Sequence, residues 1–419
     1  MYLKYFFKTK GIRTMLSQQT IDIVKSTAPV LEVKGTEITT AFYRNLFKSH
    51  PELLNIFNHA NQEKGRQQTA LANTVTAAAY YIDQLEVLLP VVKQIAHKHR
   101  SLLVAPEHYP IVGEHLLGAI KEVLGDAATD EIIQAWAEAY GAIADVFISV
   151  EKEMYDEAAD QEDGWKGHKE FVIDRTVKES DIITSFYLKA ADGSALPAFL
   201  PGQYVTVTVK IPGEPYTMNR QYSLTNAPGE DYYRISVKKE KIEGNPDGKV
   251  SNYLHDLAKE GDLVQLTTPA GEFTVDIASG QPITFLSAGV GITPFMSMLH
   301  TMANENPERE VHLVHASKTK NVQAFAEEIE SLQDRMPNLD VAFYHDGEKE
   351  TDNATTNHKY GRITGEVIAH YPKESVFYVC GPVGFMQFAV EELQSQGVSA
   401  DQIHYEFFGP AMEIKEKAV

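Results

Sequence analysis

From residue 15 to about 155, apolar residues recur every three or four positions, and breaks fall at Pro51, Gly65, Pro90 and Pro106. That period belongs to amphipathic helices, so this stretch is predicted to be all helix. The acidic, Gly-containing run "DEAADQEDGWKGHKEF" follows and reads as a linker over 156–168. From Phe171 to about Phe273 the period shortens to two, as in "GQYVTVTVKI" and "YYRISVKKE". Short alternating strands between turn residues predict an antiparallel barrel or sandwich over 169–276. From about Pro282, apolar strands such as "ITFLSAG", "EVHLVHAS" and "SVFYVCG" alternate with helical stretches such as "TPFMSMLHTMA" and "AFAEEIESL". That alternation predicts a parallel α/β layer over 277–412, then a tail at 413–419. The chain therefore reads as multidomain.

The helical stripes single out three polar residues. Leu88, Val92, Ile95, His99 and Leu102 share one stripe, which turns His99 inward. His97 lies roughly 200° around the helix from Ile95 and is expected to face solvent. On the next helix Tyr109 leads Val112, Leu116, Ile120 and Val123. On the last, Glu151 follows Trp136, Tyr140, Ile143 and Phe147, with Met154 beyond. A buried carboxylate without a partner is costly. A histidine hydrogen-bonded to a carboxylate and a phenol makes a good metal ligand. The plainer reading is a satisfied core histidine with Glu151 at a helix end. Across the zone, Gln67, Leu71, Ala78 and Ile82 share a face, and Tyr43 lies near Leu46 and Phe47, with Phe57 in "HPELLNIF".

Charge and cysteine content narrow the classes. The formal net charge of −20 repels phosphate backbones and anionic lipid, so nucleic acid and membrane surfaces are poor partners. Cys380 is the only cysteine, which rules out an intramolecular disulfide and fits a reducing cytoplasm. No apolar run reaches the length of a membrane span. Residues 1–14, basic and partly apolar, read as an upstream extension before Met15.

Two further zones carry phosphate-type motifs. "PGQYV" at 201–205, "RQYSLTNAP" at 220–228 and "GKVSNYLHDL" at 248–257 follow in order. Arginine binds phosphate bidentately, tyrosine offers a flat face, and a Gly-Lys-Val-Ser turn opening a helix presents N–H groups to pyrophosphate. In the last zone "FLSAGVGITPFMSML" is strand, Gly-rich turn and helix, with Pro294 at a favoured first helical position. "YVCGPVGFM" is a second such turn, and "HYEFFGP" lies near the C-terminus.

The early tyrosine, the "NIF" corner, Gln67 four residues before Leu71 and the inward His99 resemble a bacterial-type globin. "RxYS" followed by "GxxSxxL" resembles the FAD domain of the ferredoxin reductase-like family, and the two Gly-rich turns resemble its nicotinamide domain. Together the chain resembles the flavohaemoglobins: an all-α globin, an antiparallel β-barrel FAD domain, then an α/β parallel-sheet NAD(P) domain. The resemblance implies haem b with His99 as proximal ligand, backed by Tyr109 and Glu151. It implies a distal pocket of Tyr43, Gln67 and Leu71, with Phe57 packed on the haem. For FAD it implies Tyr204, Arg220, Gln221, Tyr222, Ser223, Gly248, Lys249, Val250 and Ser251, the arginine and Ser251 on phosphate and Tyr222 beside the ring. For the nucleotide it implies Gly289, Val290, Gly291, Ile292, Thr293, Pro294, Cys380, Gly381 and Pro382. Cys380 reads equally as a small buried side chain. Phe407, Phe408, Gly409 and Pro410 match the segment that covers the flavin, and Lys98 and Glu406 match positions that tune electron passage.

The implied activity is nitric oxide dioxygenase, with O2 and NO as substrates, NADH or NADPH as donor and no obligate protein partner. Lys318 and Lys320 are candidate partners of a 2′-phosphate, which leaves the choice of nucleotide open. Two other classes stand beside it: a haem-based gas sensor, and a reductase with another electron acceptor.

Overall fold

The computed structural model describes residues 16–57, 65–240, 248–347 and 357–409. The 1–14 extension, the 413–419 tail and Pro410 lie outside the described residues. Contacts divide the chain into two compact units: Met1–Gln161 with Trp165–Gly167 and Thr208–Asn219, and the remainder.

The first unit is helical. It contains α1 (Gln18–Ser49), α2 (Arg66–Tyr80), α3 (Leu89–Ser101), α4 (His108–Leu124) and α5 (Asp130–Asp160). Ser17 and Thr129 start α1 and α5 by accepting the N–H groups of Thr20 and Ile132. Pro90 opens α3, where its missing N–H costs nothing. Two apolar clusters fill the unit. One gathers Phe42, Tyr43, Leu46, Leu116, Ile120 and Trp136, with Phe57 and Leu71 against it. The other gathers Leu89, Val92, Ala96, Phe147 and Val150, with Tyr109 against it. Helix α5 runs on to Asp160, five residues into the stretch read as linker. "YDEAAD" is acidic but rich in strong helix formers, so charge alone does not end the helix.

Two sheets follow along the chain. Strands β1 (Lys169–Lys178), β2 (Ile183–Ala190), β3 (Tyr204–Val209), β4 (Met218–Ser223), β5 (Tyr233–Lys238) and β6 (Leu263–Leu266) order as β4-β3-β6-β1-β2-β5. The β1–β2, β1–β6 and β2–β5 pairs are antiparallel. The end strands meet at an isolated Leu224–Ile235 bridge, which closes one sheet into a barrel and decides against a sandwich. Helix α6 (Lys249–Asp256) lies between β5 and β6 in sequence.

The other sheet is β7 (Ile283–Ala288), β8 (Val311–Ser317), β9 (Leu339–His345), β10 (His358–Tyr360), β11 (Val376–Cys380) and β12 (Ile403–Glu406), in the order β10-β9-β8-β7-β11-β12. Every pair is parallel. Helices α7 (Thr293–Glu305), α8 (Ala326–Arg335), α9 (Gly365–Ile368) and α10 (Val383–Ser395) connect the strands. Strand order reverses between β7 and β11, and such switch points open a crevice at strand C-termini. Among the described residues no helix is long and apolar enough to cross a membrane.

Candidate functional site

His99, Tyr109 and Glu151 come together as the stripes require. His99 Nδ1 lies 2.7 Å from Glu151 Oε1 and 3.3 Å from the Tyr109 hydroxyl. That hydroxyl donates to the same Oε1 at 2.6 Å. Glu151 is only 3% exposed, and these two donors offset its burial. An ionised carboxylate only accepts, so the assigned tautomer carries hydrogen on Nδ1 and keeps the Nε2 lone pair for a metal. Burial first, then the Glu151 charge, raises the Tyr109 phenol far above its ordinary range.

A second ring of contacts holds this arrangement. Tyr140 donates to the Tyr109 carbonyl at 2.6 Å, over a glycine whose Cβ would fall 2.5 Å from its ring. That glycine is Gly113, so space for Tyr140 needs the missing side chain. The Phe147 ring sits 5.8 Å from the His99 ring. Tyr155 donates to the Val104 carbonyl at 2.9 Å, bracing the turn where Leu103 adopts a left-handed φ of 59°. Gly113 and Tyr155 carried no signal in the sequence, since their roles depend on contacts between helices.

One expectation is corrected. His97 is half-buried, not solvent-facing, and burial pulls its imidazole down to about 4. The most buried line of α3 is Leu89, Val92, Ala96 and Arg100, one position around from the stripe read in the sequence. His99 sits at its margin with a side chain 33% exposed, and Lys98 is half-buried beside it.

On the opposite wall Tyr43 is 6% exposed, its ring stacked 5.8 Å from Phe47 and edge-on 5.8 Å from Phe57. Leu71 is half-buried against the same cluster. Gln67 has its Oε1 buried with no hydrogen-bond partner among the described residues. Such an atom calls for a partner, which a ligand or a water can supply. The described residues contain no cluster of three or more His, Cys, Asp or Glu placed to hold a bare metal ion. One imidazole whose far nitrogen is held by a carboxylate suits a metal that brings its own ligand ring, as haem iron does.

Two of the motifs of the second zone meet through the backbone. Leu224 donates to the Gln203 carbonyl at 2.9 Å, which seats "PGQYV" beside "RQYS". Arg220 and Tyr222 alternate with Gln221, so they share a face of β4; all three are half-buried and Ser223 is buried. Gly271, at φ 114°, leaves room for the Tyr204 ring, which its Cβ would approach to 2.9 Å. Gly248 is the N-cap of α6 and supplies no side-chain cap, and the start of such a helix is a place where an anion can be met by backbone N–H groups. Ser251 differs from expectation. Its hydroxyl donates to the Gly248 carbonyl at 3.0 Å and accepts from Glu240 N–H at 3.2 Å, so it shapes the turn.

At the switch point the two Gly-rich turns interlock. A Cβ on Gly291 would lie 2.2 Å from the Cys380 carbonyl oxygen, and one on Gly381 would lie 2.9 Å from the Phe385 ring. Only glycine permits this approach of the 289–294 turn to the 380–382 turn. Val290 is half-buried there, while Ile292, Thr293 and Pro294 are buried, and Pro382 caps α10. Cys380 shows no surface: it is fully buried in the core, Sγ 3.7 Å from the Glu406 carbonyl, its thiol pushed up by burial. What it offers at the crevice is backbone. Glu406 and Phe407 are half-buried at the end of β12, Phe408 is 47% exposed, and Gly409 follows.

Comparison with known proteins agrees domain by domain. A globin profile matches residues 40–147, an oxidoreductase FAD-binding domain 171–275, and an oxidoreductase NAD-binding domain 285–391. A flavohemoprotein of Bacillus cereus is 56% identical over 404 residues, covering 96% of this chain and 100% of its own. One from Bacillus subtilis is 49% identical over 409 residues, covering 96% and 100%. The crystal structure of a Malassezia yamatoensis flavohemoglobin with bound FAD and heme superposes with a TM-score of 0.81 at 26% identity, covering 94% of this chain and 100% of that one. The FAD/NAD-binding domain of a Vibrio cholerae nitric oxide dioxygenase gives 0.53 at 37% identity, covering 58% and 99%. With its three domains in this order and half its residues shared along the full length of a curated relative, the chain belongs to the flavohemoprotein family of oxidoreductases.

Proposed function

We propose that this chain is an NAD(P)H-dependent nitric oxide dioxygenase that removes NO in the cytoplasm. When bound, NAD(P)H supplies a hydride to FAD, FAD supplies single electrons to haem b, and O2 at reduced haem oxidises NO, so that two NO and two O2 become two nitrate for each NAD(P)H. The observation that carries this reading is the His99–Glu151–Tyr109 relay. A ligand imidazole that gives its far N–H to a carboxylate is more basic and donates more density to iron. That favours oxygen activation over simple carriage, and a sensor needs no nucleotide domain.

The family resemblance extends to the remaining roles, and the positions of the side chains support them. His99 holds the iron. Tyr43 and Gln67 hold polar ligands on the far side, with Leu71 and Phe57 setting the apolar walls. Arg220 and the start of α6 hold flavin phosphate, while Tyr204, Tyr222, Ser223 and residues 407–409 bracket its ring. Residues 289–294 and 381–382 receive the nicotinamide nucleotide at the switch point. Lys98 and Glu406 tune electron passage. We take 15–155, 169–276 and 277–412 as the working bounds of the three domains. The test is NAD(P)H oxidation by purified protein in air with and without NO. Strong stimulation by NO supports the reading, and an unchanged rate refutes it.

A further inference from the structure

Arg234 on β5 is 5% exposed, yet it is not an isolated barrel residue. Its Nε donates to Thr225 Oγ1 at 2.8 Å and its Nη2 to the Thr225 carbonyl at 2.6 Å. Thr225 stands two residues beyond Ser223, so the guanidinium grips the strand end that carries "RQYS". On its other side Nη2 lies 2.8 Å from Glu328 Oε1, on α8 of the nucleotide layer. The same oxygen accepts from His300 Nε2, on α7. His300 is seven residues, or about 10 Å, along α7 from Thr293, where the helix leaves the nucleotide turn.

The loop entering α8 reinforces this seam. Phe325 adopts a left-handed φ of 63°, and its ring lies 5.6 Å from the Arg234 guanidinium carbon. Gln323, 5% exposed, buries both amide atoms with no hydrogen-bond partner among the described residues. Asp181 N–H in the barrel donates to the Asn321 carbonyl at 2.9 Å. A bulky left-handed residue and an orphaned amide are both costly, and such costs persist where the surroundings over-determine a geometry.

We propose that Arg234, Glu328 and His300 are positioning residues for reduction of the flavin: they fix the helix that opens at the nucleotide turn against the strand that carries the flavin contacts. This rests on the functional reading above. In that step a C–H bond of the reduced nicotinamide breaks, and both electrons pass with the hydrogen to the flavin, leaving oxidised nucleotide and reduced flavin. None of the three residues touches the reacting atoms in this account. They act through Thr225 and α7.

The test uses full-length, haem- and FAD-loaded protein mixed anaerobically with NADH or NADPH, with flavin bleaching followed in stopped flow. In Glu328→Gln and in His300→Gln, bleaching at saturating nucleotide is expected to slow about tenfold, since misplacements near 1 Å carry losses of that order or more. The half-saturating concentration should stay within about twofold of wild type. The long-wavelength nicotinamide–flavin charge-transfer absorption should weaken, and the Asp181 amide should exchange hydrogen faster, a readout independent of cofactor chemistry. The double variant should be no slower than the slower single one. His300→Gln, which leaves the Arg234–Glu328 ion pair in place, keeps the test available where Glu328→Gln does not fold. Wild-type bleaching rates in the variants, even with a lower melting temperature, overturn the proposal, because burial alone then explains the triad. A wild-type flavin that neither nucleotide reduces overturns the functional reading and this proposal together.

Discussion

Tyr109 donates its hydroxyl at 2.6 Å to Glu151, on the one oxygen that also receives His99 Nδ1. Glu151→Gln removes the charge and keeps the size. The haem midpoint potential is expected to rise, and the iron–histidine stretching frequency of the ferrous protein to fall. Tyr109→Phe should shift both the same way by less, because the carboxylate stays. Spectroelectrochemical titration and resonance Raman check this. If neither quantity moves in either variant, the relay serves packing only.

Tyr43→Phe deletes one hydroxyl and keeps a ring stacked on Phe47. One hydrogen bond to a polar ligand is worth roughly 1.5–3 kcal/mol, or about tenfold and upward in O2 release. Flash photolysis or rapid dilution measures the off-rate. An unchanged value removes Tyr43 from the distal pocket.

His97 and His99 separate ligation from packing. His99→Ala should lose the normal haem spectrum and keep the flavin spectrum. His97 is half-buried, so His97→Ala should cost about 1–2 kcal/mol of stability and keep haem. Haem loss from both variants alike would contradict His99 as the ligand.

The acid side of the stability curve follows from His315. It is 1% exposed and accepts or donates at 2.8 Å with Ser287; burial, then the charge of His345, pulls it down to about 3. An unfolded histidine takes up its proton near 6.5, which the fold resists, so stability falls as pH drops from about 6.5 toward about 3, by up to ~1.4 kcal/mol per pH unit. His315→Asn removes the titrating group. The stability gap between wild type and variant should therefore narrow as pH falls from 6.5 to 5 in urea titrations, and a constant gap would show that the fold does not resist protonation of His315.

Elements whose stability comes from one apolar face were readable from spacing. Each of α3, α4 and α5 buries such a face, and the three polar residues that met in space lay on those faces. Spacing gives an angle around a helix, but not where neighbours wrap it. Hence the buried line of α3 includes Arg100, and His97 is half-buried where the single-helix pattern put it in solvent. Closure of the barrel depends on the Leu224–Ile235 bridge, a pairing that local alternation does not encode. Motifs showed which turns approach a ligand, but not which side chains turn inward: Ser251 and Cys380 are engaged by the protein itself. The Arg234–Glu328–His300 seam joins three elements distant in sequence, so nothing local announced it.

The most direct measurement is the nitrate formed per NAD(P)H oxidised when NO and O2 are supplied together to the haem- and FAD-loaded protein. A nitric oxide dioxygenase should give two nitrate per nucleotide, with oxidation that rises steeply on adding NO and is lost in His99→Ala. Nucleotide oxidation that ignores NO, or proceeds without nitrate, would contradict the assignment and leave a reductase with another acceptor.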